Sequence, residues 1–183
     1  MPETKSIVVL GHHITKAEEW IWYDDPDGRY FCEANDHMSS LIELLLSFLP
    51  DSKNKIVPYP HESGLQFRYV AQAAGMGRIG RNSFLLHPEW GSWTLLRVFV
   101  TSEELDETSG EIIADYCEDC DKCIQVCPAD AFKGGFDGLK CRSYRTSRGD
   151  YKPIGKERYY KGCKKCAIVC KIGSHPKGRF PRL

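Results

Sequence analysis

The feature that most restricts how this sequence can fold is a run of four cysteines, CEDCDKCIQVCP, in which Cys117, Cys120, Cys123 and Cys127 precede Pro128. The spacing C-x2-C-x2-C-x3-C-P lets a short loop wrap three corners of a 4Fe–4S cluster, while a helical turn directs the fourth thiolate to a second cluster. Such a chain folds around inorganic cores as well as around apolar side chains. The run therefore predicts an iron–sulfur protein.

A second cysteine group, CKKCAIVC, repeats the spacing of the last three cysteines of the first run. Cys141 in DGLKCRSY supplies the missing first member, displaced by an insertion. Because the fourth cysteine of each run ligates the other cluster, the ligation is expected to be crossed. The predicted sets are Cys117, Cys120, Cys123 and Cys170 for one cluster, and Cys127, Cys141, Cys163 and Cys166 for the other.

Zinc is the alternative metal, because paired C-x-x-C groups also form zinc sites with four thiolate ligands. The trailing Cys-Pro and the even division of eight cysteines favour two 4Fe–4S clusters. Reduced cysteines at short spacings, in a chain without an export signal, indicate metal binding rather than disulfides. Cys32, the ninth cysteine, is predicted to be an ordinary half-buried thiol.

Charge is unevenly distributed: residues 133–183 contain fifteen Lys or Arg and three Asp or Glu, although the whole chain has a formal net charge of zero. Cations near anionic clusters raise their potentials, and a basic surface also suits an acidic electron donor or a nucleic acid. No apolar run approaches the roughly 18 residues of a membrane span, and the N-terminus resembles a strand rather than a signal peptide. We expect a cytoplasmic protein with no membrane partner.

The segments that precede the cysteines predict an α+β arrangement. SIVVLGHH and SWTLLRVFVTS have the composition of strands. Residues 36–49 have the spacing of an amphipathic helix that Asp36 would cap, and residues 63–75 predict a second helix that ends at Gly75. We predict an α+β domain at residues 1–109 and a cysteine-rich domain at residues 110–183.

Gly75, Gly77 and Gly80, in AAGMGRIGRNSF, have the G-x-G-x-x-G spacing of a dinucleotide-binding turn. That turn needs a strand before it and a helix after it. Here a predicted helix precedes the glycines, and Pro88 and Gly91 prevent a long helix after them. A Rossmann site is therefore disfavoured, which leaves a tight turn or close approach of the backbone to another large ligand.

Four strings together, AAGMGRIGRNSFLLHPEWGSWTLLRVFVT, CEDCDKCIQVCPADAF, LKCRSY and GCKKCAIVC, resemble the core of the epoxyqueuosine reductase and reductive dehalogenase family of iron–sulfur, corrinoid-dependent reductases. The resemblance implies a truncated nitroreductase-like α+β domain joined to a ferredoxin-like module with two 4Fe–4S clusters, and a cobalamin between them. The N-terminal part and the C-terminal helical-repeat region of the queuosine enzymes have no counterpart in the sequence. This difference argues against tRNA as a partner.

The resemblance also implies which residues meet the cofactor and the substrate. Tyr30 and Asp36 lie near the family's proton donor, and Arg81 would stabilise negative charge on the substrate or the corrin. Packing, helix capping and solvation are the respective structural alternatives for these three. The glycine-rich stretch would lie against the corrin. The predicted cofactor contacts are Gly75, Met76, Gly77, Arg78, Gly80, Asn82 and Ser83.

Three functions fit these features. In the first, the clusters relay single electrons from a ferredoxin or flavodoxin to a cobalamin that reduces a small organic substrate. The second is a ferredoxin-like electron-transfer protein that serves a partner enzyme. The third is a flavin-dependent reductase that holds FMN at a homodimer interface. We predict the first function, in which a homodimer would also complete the corrin pocket.

Overall fold

The structure, a computed structural model, describes residues 3–24, 30–49, 54–57, 63–108, 116–147, 151–154, 157–160 and 163–178. The predicted domain boundary between residues 109 and 110 lies outside the described residues. Within these ranges no helix is both long and apolar enough to cross a membrane.

A three-stranded antiparallel sheet in the order β1, β7, β4 organises the N-terminal half. β1 (Ser6–His13) pairs with β7 (Thr94–Thr101) along its whole length, and β4 (Lys55–Ile56) pairs with the other edge of β7. All but one of the residues of β7 are buried, because the strand is central and both of its faces are covered. The apolar run TLLRVFVT suits that position. The predicted strands are confirmed.

Two helices pack against this sheet, α1 (Glu33–Ser47) and α2 (Phe67–Ala73). Cys32 is the N-cap residue of α1, and its carbonyl accepts the backbone N–H of Asp36 at 3.0 Å. The prediction that Asp36 caps the helix was wrong, because the buried face of α1 begins one turn earlier. That face consists of Ala34, Met38 and Ile42.

A four-stranded sheet joins the two halves of the sequence, in the order β3, β2, β9, β8. β2 (Trp22–Asp24) and β3 (Tyr30–Phe31) belong to the N-terminal half. β8 (Tyr151–Ile154) and β9 (Glu157–Tyr160) lie between Cys141 and the second cysteine group. Because β9 pairs antiparallel with β2, the insertion is a hairpin that extends a sheet begun by the N-terminal half.

The main apolar core also draws on both halves. Trp93, which immediately precedes β7, is 1% exposed, and Ala167, from the second cysteine group, is fully buried in the same cluster. The mixed α and β class is thus confirmed, and the two halves share their packing. The remaining buried members of this cluster are Ile14, Trp20, Cys32, Ala34, Met38 and Leu95.

Short elements carry the rest of the candidate site. A 3-10 turn covers Ala17–Trp20, and a hairpin follows α2. Two single helical turns, α3 and α5, belong to the two cysteine groups, and α4 carries Cys141. Their bounds are β5 (Arg78–Ile79), β6 (Leu85–Leu86), α3 (Lys122–Gln125), α4 (Gly138–Ser147) and α5 (Lys165–Ile168).

Candidate functional site

The two cysteine groups fold into the same backbone turn. Asp121 precedes α3 with φ −119° and ψ 10°, and Lys164 precedes α5 with φ −117° and ψ 9°. The N–H of Cys127 and that of Cys170 each donate to the carbonyl three residues earlier, at 3.2 Å in both turns. CDKCIQVC and CKKCAIVC therefore form a structural repeat in which Asp121 and Lys164 occupy equivalent positions.

Thiols from both groups surround Cys123. Burial raises the pKa of Cys123, and the neighbouring thiols of Cys117, Cys120 and Cys170 raise it further, because adjacent negative charge disfavours a second thiolate. Cys117 and Cys120 belong to the same run, whereas Cys170 is the last cysteine of the second group. These four thiols are the members of the first predicted set.

A second group of thiols surrounds Cys166. The pKa of Cys166 is raised to about 12, mainly by burial. The neighbouring thiols of Cys163 and Cys141, and then those of Cys123 and Cys127, raise it as well. Burial also raises the pKa of Cys141, which has Cys163 and Cys127 as neighbours. Cys127, Cys141, Cys163 and Cys166 thus neighbour one another, and Cys123 connects the two groups.

The environment of the thiols includes hydrogen-bond donors and cations. The backbone N–H of Ala131 donates to Sγ of Cys127 at 3.4 Å. Arg145 lies beside Cys141 and opposes the effect of burial on its pKa. Such neighbours favour the thiolate that a metal requires. In the part of the chain that the structure describes, no three His, Cys, Asp or Glu side chains are placed to hold a single metal ion.

Lys164 connects the second group of thiols with the N-terminal half. Its Nζ lies 3.6 Å from the centroid of the Trp20 ring, and Trp20 is 8% exposed. Loss of water around the ammonium, and then repulsion by Arg145, lower the pKa of Lys164 to about 8, while the nearby thiols of Cys166, Cys32 and Cys163 oppose that shift. Burial raises the pKa of Cys32 itself to about 11. The sequence predicted a half-buried Cys32, but its side chain is fully buried.

The glycine-rich stretch forms a turn that packs against its own chain. Gly75 has φ 74° and ends α2 as predicted: its N–H donates to Gln72, and the next N–H donates to Ala71, both at 3.0 Å. A Cβ at Gly77 would collide with the Leu86 carbonyl, and a Cβ at Gly80 would lie 2.6 Å from the Leu86 side chain. The helix before the glycines excludes a Rossmann turn, and the two glycines permit the β5–β6 hairpin to close.

Asn82 and Ser83 also have partners within the protein. Asn82 is 4% exposed, donates to the Ser92 hydroxyl at 2.8 Å and accepts the N–H of Phe84 at 3.2 Å. Ser83 has φ 64°, and the Arg68 guanidinium donates to its hydroxyl at 2.6 Å. These contacts fix the turn between β5 and β6. Among the predicted cofactor contacts, Arg78 is exposed, and Met76 and Gly75 are half-buried.

The three predicted catalytic residues lie on different elements. Tyr30 is in β3, where its backbone pairs with Asp24, and its side chain lies outside the described part of the structure. Asp36 is exposed in the first turn of α1. Arg81 follows β5 and is exposed, but its guanidinium donates to the carbonyls of Glu118 at 3.2 Å and Cys120 at 3.4 Å. Arg81 therefore joins the glycine-rich turn to the first cysteine loop.

We expect Arg81→Ala to accelerate loss of metal from the first group of thiols by several-fold, because two donors to that loop disappear. The cost to overall stability should stay near 1 kcal/mol, since the side chain is exposed. Metal release to a chelator under anaerobic conditions measures the rate. Arg81→Lys keeps the charge without the forked donor, so it should also accelerate release. A wild-type rate in Arg81→Lys would instead attribute the effect to charge.

No family model matches the chain. The epoxyqueuosine reductase of Staphylococcus aureus is 35% identical over 123 residues, which are 63% of this chain and 30% of that protein. The enzyme of Bacillus anthracis is 32% identical over 149 residues, or 77% of this chain and 38% of that protein. A solved epoxyqueuosine reductase with an epoxyqueuosine-modified tRNA-Tyr stem loop superposes with a TM-score of 0.65, at 25% identity, over 93% of this chain and 49% of its own.

The chain is an epoxyqueuosine reductase homologue. It spans less than half the length of the two curated relatives and about half of the solved one. The predicted resemblance is confirmed. Two expectations about partners were wrong: the argument against tRNA, and the choice of a small organic substrate. The tRNA stem loop held by a solved relative overturns both.

The epoxyqueuosine reductase family uses iron–sulfur clusters and cobalamin. This supports the prediction of an iron–sulfur oxidoreductase with cobalamin at the level of the family. FMN, the weakest of the predicted cofactors, has no support among these relatives. Electron donor, homodimer and cytoplasmic location stay predictions.

Proposed function

We propose that this epoxyqueuosine reductase homologue carries two 4Fe–4S clusters that deliver electrons to a cobalamin for the reduction of an epoxyqueuosine-modified tRNA. The observation that carries the proposal is which thiols neighbour one another across the two cysteine groups. Cys123 neighbours Cys170 of the other group, and Cys166 neighbours Cys127 and Cys141. These neighbours support the crossed arrangement of a two-cluster, ferredoxin-like module.

The residues present fit such clusters. Eight thiols divide into two groups of four, and the two repeated turns place their cysteines equivalently. Two cationic side chains, Arg145 and Lys164, lie beside the second group of thiols. Ala167 and Trp20 are buried next to it, which keeps water from that side of the centre. The cations favour an anionic cluster, and the buried side chains lower the dielectric around it.

Cobalamin is proposed from the relatives, since the glycine-rich turn has less room for it than the sequence suggests. Gly77, Gly80 and Asn82 contact their own chain. The contacts that we retain for a corrin are therefore exposed Arg78 and half-buried Gly75 and Met76. When bound, cobalamin supplies a strongly reduced cobalt centre to the substrate. The α+β half would serve as its nitroreductase-like support.

Asp36 and Tyr30 are retained as proposed proton donors. Reduction of an epoxide consumes protons as well as electrons, so an acid has to reach the substrate oxygen. Asp36 is exposed at the start of α1 and is not needed as the helix cap, a role that Cys32 fills. Its carboxyl is thus available to a substrate, which supports the assignment.

A concavity whose lining includes two basic residues and one acidic residue supports binding of RNA. It has a volume of about 740 Å³ and is lined by the segment from Lys133 to Leu139 together with Arg142. Phe136 is 43% exposed within it and stacks on Phe132 at 5.5 Å. Gly134 and Gly135 both have positive φ, which turns the backbone around the opening. Exposed aromatic rings stack on bases, and Lys and Arg bind phosphates.

Anaerobic purification tests the cofactors. We expect about eight irons per chain and, after reduction by dithionite, the EPR signals of 4Fe–4S clusters. Incubation with hydroxocobalamin followed by gel filtration should give a corrinoid spectrum in the protein peak. Bound zinc without iron would overturn the proposal. Iron without co-eluting cobalamin would favour the second function, an electron-transfer protein that serves a partner enzyme.

Fluorescence anisotropy tests the RNA, with an epoxyqueuosine-modified stem loop and its unmodified counterpart as ligands. We expect the modified loop to bind more tightly than the unmodified one. Lys133→Ala should weaken the affinity for both loops by several-fold and make the affinity less dependent on salt concentration. Lys55→Ala, an exposed lysine in β4, is the matched control and should bind like the wild type. Equal binding of Lys133→Ala and wild type would contradict the assignment of this surface.

A further inference from the structure

The structural repeat differs in charge at one equivalent position. Asp121 and Lys164 both precede the helical turn of their group, with the same backbone angles within two degrees. Asp121 lies between Cys120 and Cys123 of the first set, and Lys164 lies between Cys163 and Cys166 of the second. The repeat therefore places an anion next to one proposed cluster and a cation next to the other.

The surroundings of the two charges differ as well. Asp121 is exposed, and its carboxylate accepts the Gln125 amide at 2.7 Å. Lys164 lies over the buried ring of Trp20, with Nζ 3.6 Å from the centroid. Water screens the carboxylate, whereas half-buried Lys164 has its ammonium against the Trp20 ring and the thiols of Cys166 and Cys163 as neighbours. The cation is therefore less screened from its thiols than the anion is.

Other charges near the two sets add to the difference. Arg145 interacts with Cys141 of the second set. Beside the first set, Lys122 and Lys171 lie next to each other near Cys120, but Lys122 is exposed, and so are Lys171 and the acidic Glu118 and Asp119. Exposed charges of both signs largely cancel and are screened. The buried or half-buried cations are thus concentrated at the second set.

A cluster gains negative charge when it is reduced, so a nearby desolvated cation stabilises the reduced form. We propose that Lys164, held by Trp20, raises the potential of the cluster bound by Cys127, Cys141, Cys163 and Cys166 above that of its partner. With both clusters bound, this difference would direct electrons from the first cluster to the second. The proposal rests on the proposed function, because it requires both clusters to be present.

Potentiometric EPR titration of the anaerobic holoprotein tests this proposal. We expect two reduction waves, and the wave with the higher potential should be absent from Cys141→Ala, which retains only the first cluster. Lys164→Met should move that wave to a more negative potential and leave the other unchanged, while Lys164→Arg should stay close to the wild type. Lys122→Met, the exposed lysine of the equivalent turn, is the control and should move neither wave appreciably.

Iron content separates the possible failures. If the wild type holds no clusters, the proposed function fails with this inference. If both clusters are present in Lys164→Met but neither wave moves, or if only the lower wave moves, the inference alone is overturned. Lys164→Gln replaces Lys164→Met if the methionine variant fails to load iron, with the same expected direction.

Discussion

Replacing Cys127 and Cys141 together by alanine should leave about half of the iron in the protein, whereas replacing Cys141 and Cys170 together should remove nearly all of it. The difference follows from the proximity of the thiols. Cys127 and Cys141 both neighbour Cys166, so their loss damages one centre. Cys170 neighbours Cys123, so the second double variant damages both centres. Iron and sulfide per chain, measured after anaerobic reconstitution, check the result.

Ligation in sequence order would reverse this outcome. Each run would then hold its own cluster, and loss of Cys127 with Cys141 would remove both, while loss of Cys141 with Cys170 would spare one. Cys32→Ala is the control, because Cys32 is buried in the apolar core as the N-cap residue of α1. It should keep about eight irons per chain. A loss of iron in that variant would mean that the ninth thiol has a role at the clusters.

The two turns that carry the cysteine groups could be predicted because their geometry is local. Ligands separated by two or three residues must share a turn, whatever the rest of the chain does. The same reasoning predicted β1 and β7, whose apolar, β-branched sequences suit a covered sheet, and the end of α2 at Gly75. In each case neighbouring residues decide the backbone, and the sequence displays them side by side.

Long-range contacts could not be predicted in this way. Nothing in the sequence indicates that β9 pairs with β2, or that Trp20 lies against Lys164. Aligning CDKC with CKKC would have shown the reversal of charge at Asp121 and Lys164, although not the burial that makes it matter. The close packing of Gly77 and Gly80 against Leu86, across the β5–β6 hairpin, is another contact that the glycine spacing alone does not indicate.

The partner was mispredicted because absence of a segment was treated as evidence. The expectation against tRNA depends on a region of the relatives, whereas the described residues include a concavity with Lys133 and Arg142 in its lining and an exposed Phe136. Residues 133–183 already showed a strong excess of Lys and Arg. An excess of this kind also suits anionic clusters and an acidic electron donor, so charge alone does not distinguish those partners from RNA.

Gly91→Ala should destabilise the protein by about 3 kcal/mol or more and weaken the first cluster. Gly91 has φ +57°, and a Cβ there would collide with the backbone carbonyl of Ile172. Ile172 follows Cys170 by two residues, so relief of the collision would displace the segment that supplies this ligand. Two backbone hydrogen bonds hold Gly91 in place against that displacement. The Gly91 N–H donates to the His87 carbonyl at 2.8 Å, and the His87 N–H donates to the Gly91 carbonyl at 3.0 Å.

Gly64→Ala separates the collision from the backbone strain. Gly64 has φ +73°, but nothing lies within 4 Å of an added Cβ. Only the strain of a left-handed alanine remains, about 1 kcal/mol. Anaerobic thermal unfolding followed by circular dichroism gives both stabilities, and chelator-induced iron release reports the cluster. Because backbone cannot yield as a flexible side chain does, Gly91→Ala should lose iron faster than Gly64→Ala. Equal stability and equal iron release in the two variants would contradict a rigid contact between the glycine turn and the segment after Cys170.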